Sequence, residues 1–218
     1  MPIKRTNRIN QKKFLKENPN LKILDLGCTH VNYWEEANHF ADIVNYSDFF
    51  KKKNFPFTQI PSSGKLPFKD KEFDYVILSH VMEHVPNLIE FKNEIERIAK
   101  SGYIELPTKL NDNLVFGCDE EVLGHKWWFE FDDDQQQLLY TKKIDAVEKF
   151  LSVAQIWRLQ KFYEDSFLLQ FYWKDSIELK ERKPFKIEKK ITFFEIVRKY
   201  LSKKVRVPIS KAKKIFKN

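Results

Sequence analysis

The densest group of titratable side chains in this 218-residue chain is Ser79-His80-Val81-Met82-Glu83-His84, in which two imidazoles flank a carboxylate. Imidazole holds or passes a proton near neutral pH, so His80 and His84 are candidates for a general base or for groups that position a substrate. The same letters spell H-x-x-E-H, a pattern in which two histidines one helical turn apart hold zinc and the glutamate activates water. That chemistry needs a helix through both histidines. Here His80 directly follows the apolar run Phe73 to Leu78, and Pro86 comes two residues after His84, so the context is a strand end and a turn, and no metal site is expected. His125, beside Lys126, Trp127 and Trp128, is the third candidate. Aromatic faces suit a sugar, a lipid or a planar acceptor, but neighbours on a strand point to opposite sides and large aromatics most often pack into a core.

A second group closes the apolar run Leu21 to Leu26: Asp25, Gly27, Cys28 and Thr29. Gly27 allows close backbone approach to a ligand, and Asp25 can accept hydrogen bonds from that ligand or from the loop; a plain strand-ending turn is the alternative. Only five glycines occur, so a glycine-rich phosphate cradle is not expected. Two cysteines, Cys28 and Cys118, form no C-x-x-C pair, and a reducing, cytoplasmic setting is the expectation.

These groups must be carried by regular elements. Leu21 to Leu26 reads as a buried strand, Ala41 to Tyr46 as a second and Phe73 to Leu78 as a central third. Asn32, three residues before Glu35, predicts the cap of a short helix through His39. Pro61, Ser62, Ser63 and Gly64 form a turn. Leu88, Phe91, Ile95 and Ile98 predict a helix over Asn87 to Lys100, stopped by Ser101-Gly102 before a strand Tyr103 to Leu106 that carries Glu105. Lys126 to Phe131 and Gln137 to Lys142 read as a hairpin around three aspartates, 144–151 as helix, and Phe167 to Trp173 as an antiparallel strand at or near the sheet edge. Strands alternating with helices indicate an α/β domain with a mostly parallel sheet, an antiparallel edge hairpin and ligands beyond the strand carboxyl ends.

Charge is unevenly spread. Residues 180–218 hold fifteen Lys/Arg against three Glu, a net of +12, while the rest holds 24 basic and 28 acidic residues. The domains read as a basic lead-in over 1–20, the α/β body over 21–179 and a basic amphipathic, helical extension over 180–218, with Phe193, Phe194, Ile196, Val197, Tyr200 and Leu201 at helical intervals. That extension could pack on the body, clamp an acidic partner or lie on an anionic membrane surface. Lysine outnumbers arginine 32 to 7, which disfavours nucleic acid. No apolar run is long enough to span a membrane.

ILDLGC at 23–28, LPFKDKEFDYVILSHVMEHV at 66–85 and GYIELP at 102–107 resemble the class I S-adenosylmethionine-dependent methyltransferases, in the broad type 11 group, over about residues 21 to 143. GHKWWF at 124–129 with the acidic hairpin is similar to a bacterial subgroup of that family. The resemblance implies a Rossmann-like fold, S-adenosylmethionine as methyl donor and a small-molecule or glycan-type acceptor. It also implies donor contacts from Asp25, Gly27, Cys28 and Thr29, from Ser63 near the adenine and from Ser79. Two departures stand out. The family's E/D-x-G-x-G-x-G becomes Asp25-Leu26-Gly27-Cys28-Thr29-His30-Val31, with β-branched residues at the later glycine positions. The acid expected at the end of the second strand, for the ribose hydroxyls, is replaced by Asn45, with Asp48 further on. A catalytically inactive scaffold of the same fold is the alternative these departures raise.

Overall fold

The computed structural model describes residues 3–114, 124–144, 152–183 and 191–215. In chain order the elements are β1 (Ile3–Arg5), α1 (Arg8–Glu17), β2 (Ile23–Leu26), β3 (His39–Asp42), α2 (Ser47–Lys52), β4 (Phe57–Gln59), β5 (Phe73–Ser79) and α3 (Leu88–Ile98). They continue with β6 (Ala99–Pro107), α4 (Lys109–Leu114), β7 (Trp127–Asp132), β8 (Gln137–Lys142), α5 (Val153–Phe167), β9 (Leu168–Lys174), β10 (Leu179–Glu181) and α6 (Phe193–Ile215).

Seven strands form one sheet in the order β1-β9-β6-β5-β2-β3-β4. The run from β6 to β4 is parallel, and β9 and β1 add antiparallel pairs on the other flank. This is the Rossmann-like α/β architecture. After β2 the chain builds outward through β3 and β4, then crosses back to place β5 on the other side of β2, so the switch point lies between β2 and β5. Alternate residues of the central strands feed opposite cores. Leu24, Val76, Leu78 and Ile104 face α3, while Ile23, Tyr75, Ile77 and Tyr103 face α1 and the aromatic group of Trp34, Phe40 and Phe50.

Local chemistry explains the helices that position the site. Asn87 caps α3 by accepting from Glu90 N at 3.2 Å, and Leu88, Ile95 and Ile98 form its buried stripe. Asn7 caps α1 in the same way at 2.8 Å. The segment read as a lead-in therefore supplies β1, the edge of the sheet, and α1, which covers one face.

Four expectations need correction. Residues 32–38 form turns, not a helix: Thr29 Oγ1 accepts from Val31 N and Asn32 N, and the Trp34 indole is drawn into the core. β3 ends at Asp42, because Ile43 and Val44 lie in the open at 40 % and 47 % exposure. Gly102 does not stop a helix but lies inside β6, where a Cβ would sit 2.3 Å from Val76 O and 2.7 Å from Trp173 Nε1. The β7–β8 hairpin is not the sheet's edge; with β10 it forms a separate three-stranded sheet packed on the α3 face, Phe131 meeting Phe171 at 4.5 Å. The helix expected over 144–151 lies, beyond Ile144, outside the described residues.

Candidate active site

The parallel register brings the carboxyl ends of β3, β2, β5 and β6 to one rim, so that Asp42, Gly27, Ser79 and Glu105 follow one another across it. Gly27 takes φ +88°, a left-handed conformation open to glycine, and its N–H donates to Ala41 O at 2.8 Å. A Cβ at position 27 would stand 2.4 Å from Val81 Cγ2. The loop after β5 therefore lies directly against the turn after β2, and the close approach at Gly27 is made by protein as well as by any ligand.

The two β-branched substitutions do not plug this turn. Val31 points outward at 79 % exposure, and Thr29 is folded onto its own turn. Neither needs positive φ. Asp25 is buried and accepts from Trp34 N at 2.7 Å; burial pushes its carboxyl up to about 7, opposed by that N–H and by the charge of Arg8. Cys28 points inward with its thiol toward Ala41 O at 3.6 Å, and burial pushes its pKa up, so the side chain is inert packing and only its backbone borders the turn.

Asn45 lies beyond the strand end and closes a turn onto Ser47 N at 2.9 Å. The acid at the end of the second core strand is Asp42, which sequence reading missed because the run ADIVNY placed the strand too far on. Its half-buried carboxyl accepts from Val44 N at 2.7 Å and is shifted upward by burial. Ser63 sits in the exposed bend 62–64, with Gly64 at φ +83°.

Across the switch point the rim is crowded with charge. Ser79 Oγ donates to Glu105 Oε1 at 2.8 Å, the Tyr103 hydroxyl lies 2.6 Å from Glu105 Oε2, and Arg8 from α1 reaches Glu105 at 3.3 Å while stacking 4.7 Å from the Trp34 ring. His80 holds φ +57°, and its N–H donates to Glu105 O at 2.9 Å. Its Nδ1 lies 3.1 Å from Glu83 Oε1, and its side chain is 37 % exposed. Burial alone would lower its pKa, but the Glu83 hydrogen bond and the charges of Glu83 and Glu105 win and raise it.

The three candidate histidines do come together. His84 and His125 meet ring to ring at 4.6 Å, nearly perpendicular, beside fully buried Glu83. His125 Nδ1 lies 2.6 Å from Asp112 Oδ1, and Trp128 Nε1 donates to the other oxygen of Asp112 at 2.5 Å. Asp112, on α4, carried no sequence signal because its partner is thirteen residues away. The tryptophans are not a free platform: Trp128 is bound to Asp112, and Trp127 Nε1 donates to Val85 O at 2.8 Å. The shallow cleft of about 520 Å³ beside α3, lined by Lys65, Asn87 and Glu94 among others, shares no residue with this rim.

A family model described as a methyltransferase domain matches residues 4–146. The chain belongs to the methyltransferase-domain family. It is 26 % identical over 200 residues to an uncharacterised protein of Methanocaldococcus jannaschii, covering 87 % of this chain and 80 % of that one. Among solved structures, a possible histamine N-methyltransferase of Thermotoga maritima aligns with TM-score 0.43 at 11 % identity, over 77 % of this chain and 88 % of that one. The trans-methyltransferase CalH, solved with S-adenosylhomocysteine, aligns with TM-score 0.38 at 18 % identity over 44 % of this chain; the match spans only 35 % of the CalH chain. The assignment rests on the family match.

Three features of the rim are compatible with S-adenosylmethionine, the donor that the sequence resemblance implies. The turn after β2 is unplugged, a carboxylate ends the second core strand, and two acids there, Asp25 and Asp42, have their ionised forms disfavoured by burial, a condition a cationic ligand relieves.

Proposed function

We propose that this methyltransferase acts on a small polar acceptor, such as a hydroxylated small molecule or glycan, bound at the β5–β6 side of the rim. The carrying observation is the pairing of an unplugged Gly27 turn and Asp42 on one side of the switch point with part-exposed His80 and Arg8 on the other. The domain we propose starts at β1 and not at residue 21, since Arg8 belongs to the rim.

The bound donor supplies an activated sulfonium methyl group. The protein's task is then alignment more than proton removal. Asp42 would accept from the ribose hydroxyls in a charge-assisted pairing, in place of Asn45. The backbone of 27–29 and Asp25 would hold the donor's amino-acid portion, and the bend at Ser63 would hold its adenine. His80 is held between two acids, Nδ1 on Glu83 and Nε2 3.7 Å from Glu105, so its exposed ring edge would position the acceptor, with Ser79 and Arg8 flanking it. His84 and His125 stand behind His80.

Charge and exposure along α6 support contact with an anionic membrane surface: Phe194 is 74 % exposed and Tyr200 and Leu201 57 %, among Lys199, Lys203 and Lys204. No helix of the described residues is long and apolar enough to cross a membrane. A cytoplasmic setting with peripheral attachment is consistent with that reading.

Calorimetry with S-adenosylmethionine and S-adenosylhomocysteine tests the site. Wild-type protein binds both, and Asp42→Ala loses about 10–100-fold in affinity, the worth of a charge-assisted hydrogen bond, while Asn45→Ala changes little. Wild-type protein silent at millimolar ligand would point to the scaffold alternative, and equal losses at both positions would move the ribose away from Asp42.

A further inference from the structure

We propose that Glu83, His84 and His125 form a binding site for one divalent first-row transition metal ion, of which Zn²⁺ is the probe. One donor atom from each lies within 4.8 Å of the other two. The set is two imidazoles and one carboxylate, borderline-soft nitrogen with hard oxygen, a combination that suits zinc or ferrous iron and leaves coordination positions open. Metal–ligand bonds of about 2 Å require donors about 3.5 Å apart, within reach of small side-chain rotations.

Two observations beyond proximity point to a cation. Glu83 is fully buried, and its Oε2 has no hydrogen-bond partner, although Oε1 meets His80. A buried carboxylate oxygen without a partner is costly, and a metal ion satisfies it. His125 is also built as a ligand: Asp112, 1 % exposed, holds Nδ1 at 2.6 Å and so presents Nε2 to the cluster. This carboxylate–histidine pairing fixes the ring and raises its basicity in metal sites. Trp128 and Lys143 in turn hold Asp112.

The ion sits where the H-x-x-E-H pattern did not place it. Residues 80–84 form no helix, and His80 takes φ +57° and turns to the rim, so its place in the ligand set passes to His125, forty-five residues further on and just before β7. The ion would tie the loop after β5 to the second sheet. His84 and His125 are only partly buried, so an open coordination position is within reach of a water or an acceptor oxygen. The site is independent of donor binding, and metal content reads it without turnover.

Untagged full-length protein stripped with a chelator and titrated with Zn²⁺ should take up one ion per chain, by elemental analysis and calorimetry, with a rise in melting temperature. Zinc, ferrous iron and manganese offered in parallel identify the metal. Glu83→Gln and His125→Gln should each abolish stoichiometric uptake and the melting shift, and Asp112→Asn should keep the stoichiometry while weakening affinity about 10–100-fold. Far-UV circular dichroism and S-adenosylmethionine binding establish that each variant is folded; if His125→Gln is not, His84→Gln takes its place. Wild-type uptake far below one ion per chain for all three metals, or uptake unchanged in folded Glu83→Gln and His125→Gln, overturns the proposal.

Discussion

On the β2–β3 side of the switch point the rim consists of backbone and two acids, Asp25 and Asp42, whose carboxyls are both shifted upward by burial. On the β5–β6 side the acids Glu83 and Asp112 are shifted downward. Burial opposes ionisation there too, but His80 beside Glu83 and His125 beside Asp112 outweigh it. On one side burial outweighs the nearby Arg8 charge; on the other the imidazoles outweigh burial, although Glu83 Oε2 is still left without a hydrogen-bond partner. A sulfonium donor brings a positive charge with it, and an acceptor need not. The contrast is in keeping with the proposed placement of the donor on the β2–β3 side, on grounds separate from the glycine pattern.

The largest expected effect is at the seam between the two sides. Gly27→Val puts a β-branched residue at φ +88° and drives its Cβ into Val81, which should cost about 3 kcal/mol of stability and remove donor binding. The β2 turn and the β5 loop touch here, so folding and binding fall together. Gly27→Ala paired with Val81→Ala should recover part of the stability in urea unfolding, since the clash goes and the φ strain stays. Full-strength folding of Gly27→Val would mean that the two loops are not in contact.

The next effect sharpens the electrostatic contrast. Asp25 has a folded pKa of about 7 against an ordinary carboxylate value. The folded state therefore binds more protons than the unfolded one between about pH 4 and 7, and its stability falls as pH rises through that window. Donor affinity should run the other way, rising on the order of tenfold from pH 5.5 to 8 as the acid ionises to meet a cation. The groups facing Asp25 are Arg8 from α1, Asp42 from β3 and the Trp34 N–H, and none reverses the sign. Asp25→Asn should flatten both profiles and raise stability at pH 8 by on the order of 2 kcal/mol. A wild-type protein more stable at pH 8 than at pH 5, with the same slope in Asp25→Asn, would remove the basis for the comparison.

A smaller loss is expected across the rim. Arg8→Ala leaves the Glu105 carboxylate with Ser79 and Tyr103 as donors but without its guanidinium, costing about 1 kcal/mol because Arg8 is itself one-third exposed. If Arg8 flanks the acceptor, KM for that acceptor rises in the same variant while donor affinity holds. A change in donor affinity alone would place Arg8 on the other side.

Much of this was legible in the residues. β2, β5, the β7–β8 hairpin and β9 are apolar or alternating runs with clear boundaries, and Asn87 announced α3. The errors share one cause: a local pattern was satisfied by a tertiary contact instead. Asn32 and Glu35 have capping spacing, but Trp34 between them is worth more buried, with its amide on Asp25. Gly102 looked like a helix stop and is required by the close approach of Val76 and Trp173. Ile43 and Val44 looked like strand and are exposed, which hid Asp42. The Glu83–His84–His125 group joins a loop to a distant strand, and no spacing rule spans forty-one residues.

The mildest perturbation of the site is removal of α6, which contributes no residue to the rim described here. A chain ending after Lys183, which keeps β10, should bind S-adenosylmethionine as the full chain does. Its flotation with anionic liposomes should fall, because the lost segment carries a net +10 together with Phe193, Phe194, Tyr200 and Leu201. Salt separates the contributions: a lysine-driven contact weakens as ionic strength rises, whereas one held by the aromatic residues persists. Equal flotation of the two chains would return α6 to the role of a solvated appendage. Weakened donor binding in the shorter chain would instead show that the extension reaches the rim, and the separation of chemistry from attachment would fail.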